Sequence, residues 1–488
     1  MKRILVANRG EIAVRIFRTL REMGMQSVAL TADQDTASVH ARYADQVISL
    51  GPGALADTFL NQKKIIDLAL AHGVEMIHPG YGFLSENADF SAAVEAAGMI
   101  FIGPEAASIR AMGLKREAKL LVAEAGVPTV PGYSGSDQSP ATLQAAANEI
   151  GYPLLIKASA GGGGKGMKKV LKAAEFLEQL ESAQREAQAA FGNDVVILEK
   201  YLTEPRHVEI QIFGDGKGQV VALGERECSI QRRHQKIVEE APSPMVDKDL
   251  RERMCESAIA AAQAVNYRNA GTVEFICDAS GTYYFMEMNT RLQVEHPVTE
   301  MVMGLDLVRL QIETALGQPL NLERIRQPRG WAMEVRLYAE DPDHGFLPQT
   351  GKICLYEEPN GLGIRMDSGV DLGSQISLYF DPMLAKLIAY GPTREACRAR
   401  LIQALEHTFL HGLKTNVGFL HRVLSHPAFA AGHTTTGFIE EHFANPHAPD
   451  QYVIPALAAG YLADERVDLT KSPAQGPWEQ LTNWRLGA

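Results

Sequence analysis

Cysteine is scarce in this sequence, and the closely spaced cysteine pairs that bind metals are missing. Only five cysteines occur among 488 residues, and there is no CxxC. Neither a disulfide framework nor a zinc site is therefore predicted. We interpret all five as reduced thiols, at Cys228, Cys255, Cys277, Cys354 and Cys397.

Long hydrophobic runs and an excess of positive charge are missing as well. No apolar segment reaches the length that crosses a bilayer, and the first residues, MKRILVANRG, hold too short an apolar stretch for a secretory signal. The net charge of -12 argues against a nucleic-acid partner, because such binding needs clustered cations. With 46% hydrophobic and 22% charged residues the composition is that of a globular protein. We expect a cytoplasmic location without membrane attachment.

The order of apolar runs divides the chain into regions of different fold class. Short apolar runs alternate with helical patterns at the start, which predicts a doubly wound parallel sheet, whereas β-branched alternation predicts antiparallel strands further on. The predicted fold is therefore mixed α/β and α+β. The boundaries are 1–112 for the parallel-sheet domain, 113–130 for a linker helix, 131–202 for a small α+β lobe, 203–330 for a β-rich core, 331–446 for an antiparallel β-rich domain and 447–488 for a tail.

Two polar segments follow strands of the predicted parallel sheet. The tetrapeptide 8–11, NRGE, follows the first strand, and the loop 78–87, HPGYGFLSEN, follows the fourth. Ligands of such sheets bind beyond the carboxyl ends of the strands, so both segments are candidate ligand loops. The alternative is that their glycines only make turns.

A glycine-rich loop follows an apolar strand at 157–166, KASAGGGGKG. Four consecutive glycines cost backbone entropy, and they allow backbone N–H groups to approach phosphate oxygens closely. Lys157 adds a positive charge beside them. The spacing differs from GxxxxGK[ST], so this is a phosphate loop of another kind. The alternative is a flexible linker.

Two acidic strands predict a magnesium site. Glu274 lies in TVEF and Glu287 in FMEMN, with Asn289 on the same face of the second strand. Carboxylates in apolar strands are costly unless they are paired or bind a cation, and Mg²⁺ prefers oxygen ligands. The alternative is a buried salt bridge to an arginine.

Two further polar runs are candidates for substrate binding. In NTRLQVEHP, Arg291 could hold a small planar oxyanion and Glu295 could serve as a base; the alternative is that the charges of this loop pair with each other. The segment 231–240, QRRHQKIVEE, is basic and then acidic. Basic runs are usually solvated faces, but near a phosphate loop this one predicts contacts to a triphosphate and a ribose.

These motifs together resemble the biotin carboxylase family of the ATP-grasp superfamily, over residues 1 to 445. They occur in the family's order: ANRGEIAVRI, HPGYGFLSEN, KASAGGGGKGM, EKYLTEPRHVEIQI, ECSIQRRHQKIVEEAP, YFMEMNTRLQVEHPVTE and EVRLYAED. The resemblance implies that 131–202 is the ATP-grasp lid, 203–330 the ATP-grasp core and 331–446 the C-terminal biotin carboxylase domain. The tail is similar to the approach to the middle region of acyl-CoA carboxylase α subunits, with a weak preference for the 3-methylcrotonyl type.

The resemblance also implies roles for individual residues. ATP would be bound by Lys115, Lys157, the loop glycines Gly162, Gly163 and Gly164, the adenine segment with Glu199, Lys200 and Leu202, and His207, Gln231, His234 and Lys236. Mg²⁺ or Mn²⁺ would be bound by Glu274, Glu287 and Asn289. Bicarbonate would be bound by Arg291, Gln293 and Val294 and deprotonated by Glu295. The biotin enolate would be stabilised by Arg336, with Tyr81 and Asp381 near the biotin pocket.

The implied reaction activates bicarbonate as carboxyphosphate and then carboxylates biotin. Met-Lys-Met, the sequence in which the family's carrier domain presents its biotinyl lysine, does not occur here. We therefore expect biotin to arrive from another chain or from a further C-terminal segment. The expected partners are a biotin carrier domain and a carboxyltransferase subunit, in a homo-oligomer or a larger carboxylase complex. The final acceptor stays open among 3-methylcrotonyl-, propionyl-, geranyl- and acetyl-CoA.

Two other functions are consistent with parts of the pattern. A different ATP-grasp ligase, which joins an acyl phosphate to an amine, would share the glycine loop and the magnesium carboxylates but would not need RLQVEHP. A noncatalytic nucleotide-binding regulatory module would not need Glu295.

Overall fold

The computed structural model describes residues 2–159, 167–233, 235–320 and 327–444. Among the predicted site residues, Gly162, Gly163, Gly164 and His234 lie outside these ranges, as does the predicted tail 447–488. Within the described part of the chain, no helix combines the length and apolar character needed to cross a membrane.

A five-stranded parallel sheet forms the first region, as the alternation of apolar runs predicts. Its strands are β1 (Arg3–Val6), β2 (Gln26–Ala32), β3 (Gln46–Gly51), β4 (Met76–His78) and β5 (Ile100–Phe101), in the order β3-β2-β1-β4-β5. The helices are α1 (Gly10–Glu22), α2 (Val39–Tyr43), α3 (Gln62–Ala71), α4 (Ala88–Ala96), α5 (Ala106–Gly113) and α6 (Lys115–Glu124). The strand order reverses beside β1, where such sheets bind ligands.

The two predicted ligand loops meet at this reversal point. Asn8, after β1, donates through Nδ2 to the backbone oxygens of Pro79 (2.8 Å) and Tyr81 (2.7 Å), after β4. Gly80 lies between them at φ +65°, and a Cβ there would come within 2.8 Å of Asn8 Nδ2. The position therefore requires glycine on two counts, its backbone angle and the close approach of Asn8.

A small antiparallel sheet with its own core forms the second region. The strands β6 (Gly132–Tyr133), β7 (Leu154–Ala158), β8 (Met167–Val170) and β9 (Val196–Lys200) pair in the order β6-β9-β7-β8. The helices α7 (Pro140–Ile150) and α8 (Phe176–Phe191) cover it and bury Leu143, Phe176 and Leu180. The glycine-rich loop connects β7 to β8. The strand β6 lies inside the segment 131–140, PGYSGSDQSP, which is rich in turn residues.

An eight-stranded antiparallel sheet runs through the rest of the described chain. Its strands are β10 (Arg206–Asp215), β11 (Val220–Arg232), β12 (Gln235–Ala241), β13 (Arg268–Cys277), β14 (Tyr283–Asn289), β15 (Trp331–Tyr338), β20 (Ile364–Ser368) and β22 (Met383–Gly391). They pair in the order β14-β13-β10-β11-β12-β15-β22-β20. The predicted boundary at 330 thus falls where a new strand joins the same sheet, and the division into domains stays a prediction.

Helices and short strands surround this sheet. The helices are α9 (Lys248–Gln263), α10 (His296–Met303), α11 (Leu307–Ala315), α12 (Arg394–Glu406), α13 (Val417–Ser425), α14 (Pro427–Ala430) and α15 (Phe438–Phe443). The short strands are β16 (Glu340–Asp341), β17 (Leu347–Pro348), β18 (Gly351–Lys352), β19 (Leu355–Glu357), β21 (Gln375–Ile376) and β23 (Phe409–His411).

The period of two along the long strands separates an apolar face from a polar one. In β15, Met333, Val335 and Leu337 pack in the core with α12 and α13, so that Glu334 and Arg336 lie on the opposite face. In β13, Val273 and Phe275 pack against α9, and Glu274 lies on the opposite face. Buried charged side chains are thereby collected on one face of the sheet.

Candidate active site

The ammonium of Lys236 lies at the centre of the buried polar cluster. It donates to Glu209 Oε2 (2.6 Å), Glu274 Oε1 (2.8 Å) and Glu295 Oε1 (2.8 Å), one acceptor for each of its three hydrogens. Burial lowers the pKa of Lys236, but these three carboxylates outweigh it and hold the pKa well above its usual value. Lys236 therefore stays charged and brings together side chains from β10, β12, β13 and the loop before α10.

Glu295 is fully buried at the N-terminal end of α10 and is bound by two cations. Besides Lys236, Arg336 donates through Nη2 to Glu295 Oε2 at 3.0 Å. Burial raises the pKa of Glu295, but Lys236, Arg336 and Arg226 together hold it well below its usual value. The predicted base is thus an ionised carboxylate whose negative charge is stabilised by the neighbouring cations.

Arg336 connects Glu295 to a second carboxyl group. Its Nε donates to Glu239 Oε1 at 2.6 Å. Burial and the charge of Glu295 raise the pKa of Glu239 to about 7 although Arg336 opposes this. Glu334 lies opposite Glu239 in the β12–β15 pairing and is fully buried, and neither of its carboxyl oxygens has a hydrogen-bond partner among the described residues. Burial raises the pKa of Glu334 well above its usual value.

The two predicted metal carboxylates lie directly opposite each other, because Glu274 of β13 pairs with Glu287 of β14. Residues that are opposite in an antiparallel pair have neighbouring side chains. Glu274 is buried and accepts from Asn289 Nδ2 (2.8 Å), while Glu287 is partly exposed and pairs with Lys115 Nζ (2.9 Å). Burial raises the pKa of Glu274, but Lys236 and His207 outweigh it and lower the pKa far below its usual value.

These carboxylates fit a magnesium ion by their chemistry, since both are oxygen donors and one faces solvent. Asn289 in this structure presents its amide nitrogen to Glu274 and accepts from Arg291 Nη2 through Oδ1 (3.0 Å), so its place among the ligands stays a prediction. Two other groups of three ligand atoms lie within 4.8 Å in the described chain. They are His207, Glu209 and Glu274, and Glu209, Cys228 and Glu295.

Lys236 already supplies the positive charge between those two groups, because its ammonium bonds to Glu209, Glu274 and Glu295. Neither group contains Glu287. We therefore interpret them as carboxylates organised by a lysine, and place the candidate metal position between Glu274 and Glu287 instead.

Three lysines come together beside the candidate metal position. Lys119 and Lys157 both donate to Glu199 of β9, and Lys115 pairs with Glu287. Burial raises the pKa of Glu199, but Lys157 and Lys119 outweigh it and lower the pKa to about 2. Cations of the linker helix and the small sheet thus converge beside a carboxylate of the large sheet. Such a cluster can bind a polyphosphate.

The remaining predicted nucleotide residues are only partly brought together. His207 Nδ1 and Gln231 Nε2 are hydrogen-bonded at 2.7 Å. Lys200 and Leu202 lie at and just after the end of β9, next to Glu199. Lys200 and Leu202 therefore adjoin the lysine cluster from the small sheet, whereas His207 and Gln231 belong to β10 and β11 of the eight-stranded sheet.

Arg291 is held by four acceptors around the predicted anion site. It donates to Glu86 Oε2 (2.9 Å), Gln293 Oε1 (2.7 Å), Asn289 Oδ1 and the backbone oxygen of Leu292. Gln293 in turn donates through Nε2 to Glu274 at 3.0 Å. The alternative was that the charges of this loop pair with each other, but the carboxylate that pairs with Arg291 is Glu86, outside this loop. That residue belongs to the predicted ligand loop 78–87.

The predicted biotin-pocket residues lie on different elements. Tyr81 donates its hydroxyl hydrogen to Glu11 of α1. Asp381 is exposed before β22 and accepts from the Met383 amide at 2.9 Å. No contact between Tyr81 and Asp381 is described, so their joint role stays a prediction.

Several residues of this cluster were not predicted from the sequence. They are Glu11, Glu86, Lys119, Glu209, Arg226, Glu239, Glu334 and Lys386. Three of them carried a usable signal: Glu11 and Glu86 lie in predicted ligand loops, and Lys119 follows Lys115 by four residues on one helix face. The others lie on strands whose pairing brings them together.

Three family descriptions match successive parts of the chain. Residues 1–109 match "Biotin carboxylase, N-terminal domain", 115–323 match "Carbamoyl-phosphate synthase L chain, ATP binding domain" and 334–441 match "Biotin carboxylase C-terminal domain". These ranges lie close to the predicted boundaries at 112 and 330.

Curated relatives are similar over nearly the whole chain. The mitochondrial methylcrotonoyl-CoA carboxylase subunit alpha of Dictyostelium discoideum is 47% identical over 491 residues, covering 99% of this chain and 70% of that protein. Biotin carboxylase 1 of Bacillus subtilis is 47% identical over 444 residues, covering 91% of this chain and 99% of that protein. The chain spans about three fifths of the length of several other methylcrotonoyl-CoA carboxylase alpha subunits.

A solved structure has the same fold. It is the biotin carboxylase domain dimer of Hydrogenobacter thermophilus 2-oxoglutarate carboxylase, in complex with MgADP, ADP and bicarbonate. The TM-score is 0.88 at 44% identity, covering 92% of this chain and 99% of that one. With the matched domains in the same order and a relative covered almost from end to end, the chain belongs to the biotin carboxylase family.

Proposed function

We propose that this chain catalyses the ATP- and bicarbonate-dependent carboxylation of biotin through carboxyphosphate, the first half-reaction of an acyl-CoA carboxylase. One observation carries the proposal: Glu295 is a fully buried carboxylate held between Lys236 and Arg336, beside two carboxylates that can bind Mg²⁺. A base, an anion site and a phosphate site are thereby adjacent.

ATP would bind where Lys115, Lys119 and Lys157 converge. Their charges would offset those of the triphosphate, and Glu199 would keep Lys119 and Lys157 oriented when no nucleotide is bound. Mg²⁺ bound by Glu274 and Glu287 would offset negative charge on the phosphoryl group. The glycine-rich loop would then cover the phosphates, as its place between β7 and β8 suggests.

Bicarbonate would bind at Arg291, Gln293 and the backbone of Val294. Its oxygen would attack the γ-phosphorus, the bond from that phosphorus to the bridging oxygen would break, and ADP would leave. Glu295 would accept the bicarbonate proton. The products of this step are carboxyphosphate and ADP.

The low pKa of Glu295 makes it a weak base in the free enzyme, because Lys236 and Arg336 stabilise its negative charge. The anions of ATP and bicarbonate would compete with Glu295 for Lys236. Losing part of that contact would raise the pKa of Glu295 and increase its ability to take a proton. Substrate binding would in this way activate the base.

Biotin would be carboxylated after carboxyphosphate breaks down to CO₂ and phosphate. The phosphate would take the proton from biotin N1, and the resulting enolate would attack CO₂ to form the new N–C bond. Arg336 would stabilise the enolate, since its guanidinium is fixed by Glu239 and Glu295 on one side.

The partners would be a biotin carrier domain and a carboxyltransferase subunit. The likeness to methylcrotonoyl-CoA carboxylase alpha subunits favours 3-methylcrotonyl-CoA as the final acceptor. A homo-oligomer is supported by the related domain from Hydrogenobacter thermophilus, which is described as a dimer. The cytoplasmic location stays a prediction, because several relatives are named as mitochondrial.

An ADP-release assay tests the proposal. Purified protein with ATP and Mg²⁺ should release ADP when bicarbonate is present, and free biotin should increase the rate further. Release that is indifferent to both would reject the carboxylase and favour another ATP-grasp ligase. Binding of ATP without any turnover would favour a regulatory module.

A further inference from the structure

A fully buried lysine outside the proposed reaction lies behind the bicarbonate loop. Lys386 of β22 donates to the backbone oxygen of Val294 at 2.8 Å and is fully buried. Its register partner in β15 is Arg336. Burying an ammonium group costs free energy unless the group is paired with an acceptor. The acceptors around Lys386 therefore indicate its role.

The partner of Lys386 on the other side is Glu11 in helix α1. Lys386 Nζ lies 3.4 Å from Glu11 Oε2, and the side chains are 0% and 2% exposed. The next carboxylate, Asp367 Oδ2, lies at 4.0 Å. Lys386 therefore spans the gap between the N-terminal domain and the loop that holds Val294, from a strand of the C-terminal region.

Glu11 extends this contact to the other ligand loop. Its second oxygen, Oε1, accepts the hydroxyl hydrogen of Tyr81, a residue proposed for the biotin pocket. A continuous chain of polar contacts thus runs from Tyr81 through Glu11 and Lys386 to the carbonyl oxygen of Val294, the residue whose backbone is proposed to bind bicarbonate. Its members come from four separate segments of the sequence.

We infer that Glu11 and Lys386 are positioning residues that hold the Val294 peptide for bicarbonate and couple it to Tyr81 in the biotin pocket. This inference rests on the proposed function. A shift of Tyr81 on biotin binding would reach the bicarbonate loop through two charged contacts, without a contact between the two substrates. In the free enzyme the same chain holds the loop ready.

The test compares KM values for bicarbonate in bicarbonate-dependent ADP release without biotin, for Lys386→Met, Glu11→Gln, Tyr81→Phe and the pair Tyr81→Phe/Lys386→Met. Lys386→Met should raise KM for bicarbonate by about tenfold, as expected for losing a hydrogen bond from a charged donor, with KM for ATP unchanged. Tyr81→Phe should raise it by about threefold. The fold-increase in KM for bicarbonate in the double variant should be smaller than the product of the fold-increases in the two single variants, because both substitutions act through Glu11.

The matched control is Lys63→Met, the same substitution at a side chain that is 85% exposed. It should leave both KM values unchanged. If Lys386→Met does not fold, KM for bicarbonate in Glu11→Gln tests the same contact, since this substitution keeps the shape of the side chain and removes its charge. Thermal unfolding midpoints identify variants that are folded.

An unchanged KM for bicarbonate in folded Lys386→Met or Glu11→Gln would overturn the positioning role and leave only a structural one. An unchanged KM in Tyr81→Phe, or strictly multiplicative effects in the pair, would overturn the coupling. Wild-type protein without any bicarbonate-dependent ADP release would reject the proposed function itself, and the inference with it.

Discussion

Glu295 has two cationic contacts, and both bear on its chemistry. They keep it ionised in the free protein, although it is completely removed from water. A buried charge is tolerated only when it is paired in this way. The same contacts make it a poor base until substrate anions compete for them, so its reactivity depends on the side chains around it.

Glu295→Gln should lower bicarbonate-dependent ADP release by at least about 100-fold, because the amide cannot accept the bicarbonate proton. ATP affinity, measured by calorimetry, should be unchanged. Full turnover in this variant would remove Glu295 as the base. Lost ATP affinity would indicate a structural role instead.

Lys157→Ala should weaken ATP binding by about tenfold, since one of the converging ammonium groups is removed. The control is Lys172→Ala, an exposed lysine of the same small region. Calorimetric titration with ATP compares the two. Equal affinities would contradict the proposed phosphate contact.

Arg336→Ala should slow biotin carboxylation by about 100-fold, the order found when a donor that stabilises developing charge is removed. ADP release with bicarbonate alone should fall much less. Both rates are measured on the same preparation, one by fixed radioactive carbonate and the other by ADP. Equal losses would remove the enolate role of Arg336.

The sequence singled out candidate site residues only where they lie inside long motifs. Glu274, Glu287 and Glu295 could be singled out because their neighbours in the chain carry a pattern. Glu209, Glu334 and Lys386 could not, because an isolated charge in an apolar strand is also what a salt bridge to any strand would require. Their partners are set by strand pairing, which the sequence pattern did not specify.

At the scale of elements, the pairing of β12 with β15 places two acidic side chains side by side inside the protein. Glu239 and Glu334 are opposite each other and both are buried, and no residue in the described part of the chain donates a hydrogen bond to Glu334. Two ionised carboxylates in this position would repel each other and lose hydration. Glu334 therefore stays protonated to a higher pH than a carboxyl group in water.

This arrangement predicts a pH-dependent stability. The folded protein keeps the Glu334 proton while the unfolded chain releases it above about pH 4.3, so the unfolded state binds fewer protons and wild-type stability falls as the pH rises. Glu334→Gln removes this dependence. The difference in unfolding free energy, Glu334→Gln minus wild type, should therefore increase with pH. The increase should be up to about 1.4 kcal/mol for each pH unit between about pH 5 and about pH 7.

Chemical denaturation of both proteins at several pH values measures this difference. Tyr338, which lies on the same strand, offers a control as Tyr338→Phe, since a phenol does not titrate in this range. A constant difference between Glu334→Gln and the wild type across the range would show that Glu334 is ionised in the folded protein.

The strands of the parallel sheet and most long elements followed from the apolar pattern, whereas the short strands elsewhere did not. The five parallel strands and the long antiparallel strands lie where alternation and β-branched residues predict them. The strands β6, β18, β19 and β23 have only two or three residues, which is too short for a period to be recognised. β6 forms because β9 offers an edge to a segment rich in turn residues.

At the scale of the whole described chain, the site is built where three regions meet. The parallel sheet contributes Tyr81 and Glu86, the small sheet contributes Lys157 and Glu199, and the eight-stranded sheet contributes the carboxylates and Arg336. The division at 112 and 330, drawn from the order of apolar runs, stays a prediction. The continuity of one sheet across 330 was not anticipated, because strand order is not encoded in a local pattern.

The central claim is that bicarbonate itself attacks ATP at the site formed by Arg291, Lys236 and Glu295. Bicarbonate labelled with ¹⁸O tests it most directly, with the released phosphate analysed by mass spectrometry while biotin is turned over in unlabelled water. The account predicts one labelled oxygen in each phosphate, transferred through carboxyphosphate. Phosphate without label, whose added oxygen comes from water, would contradict it.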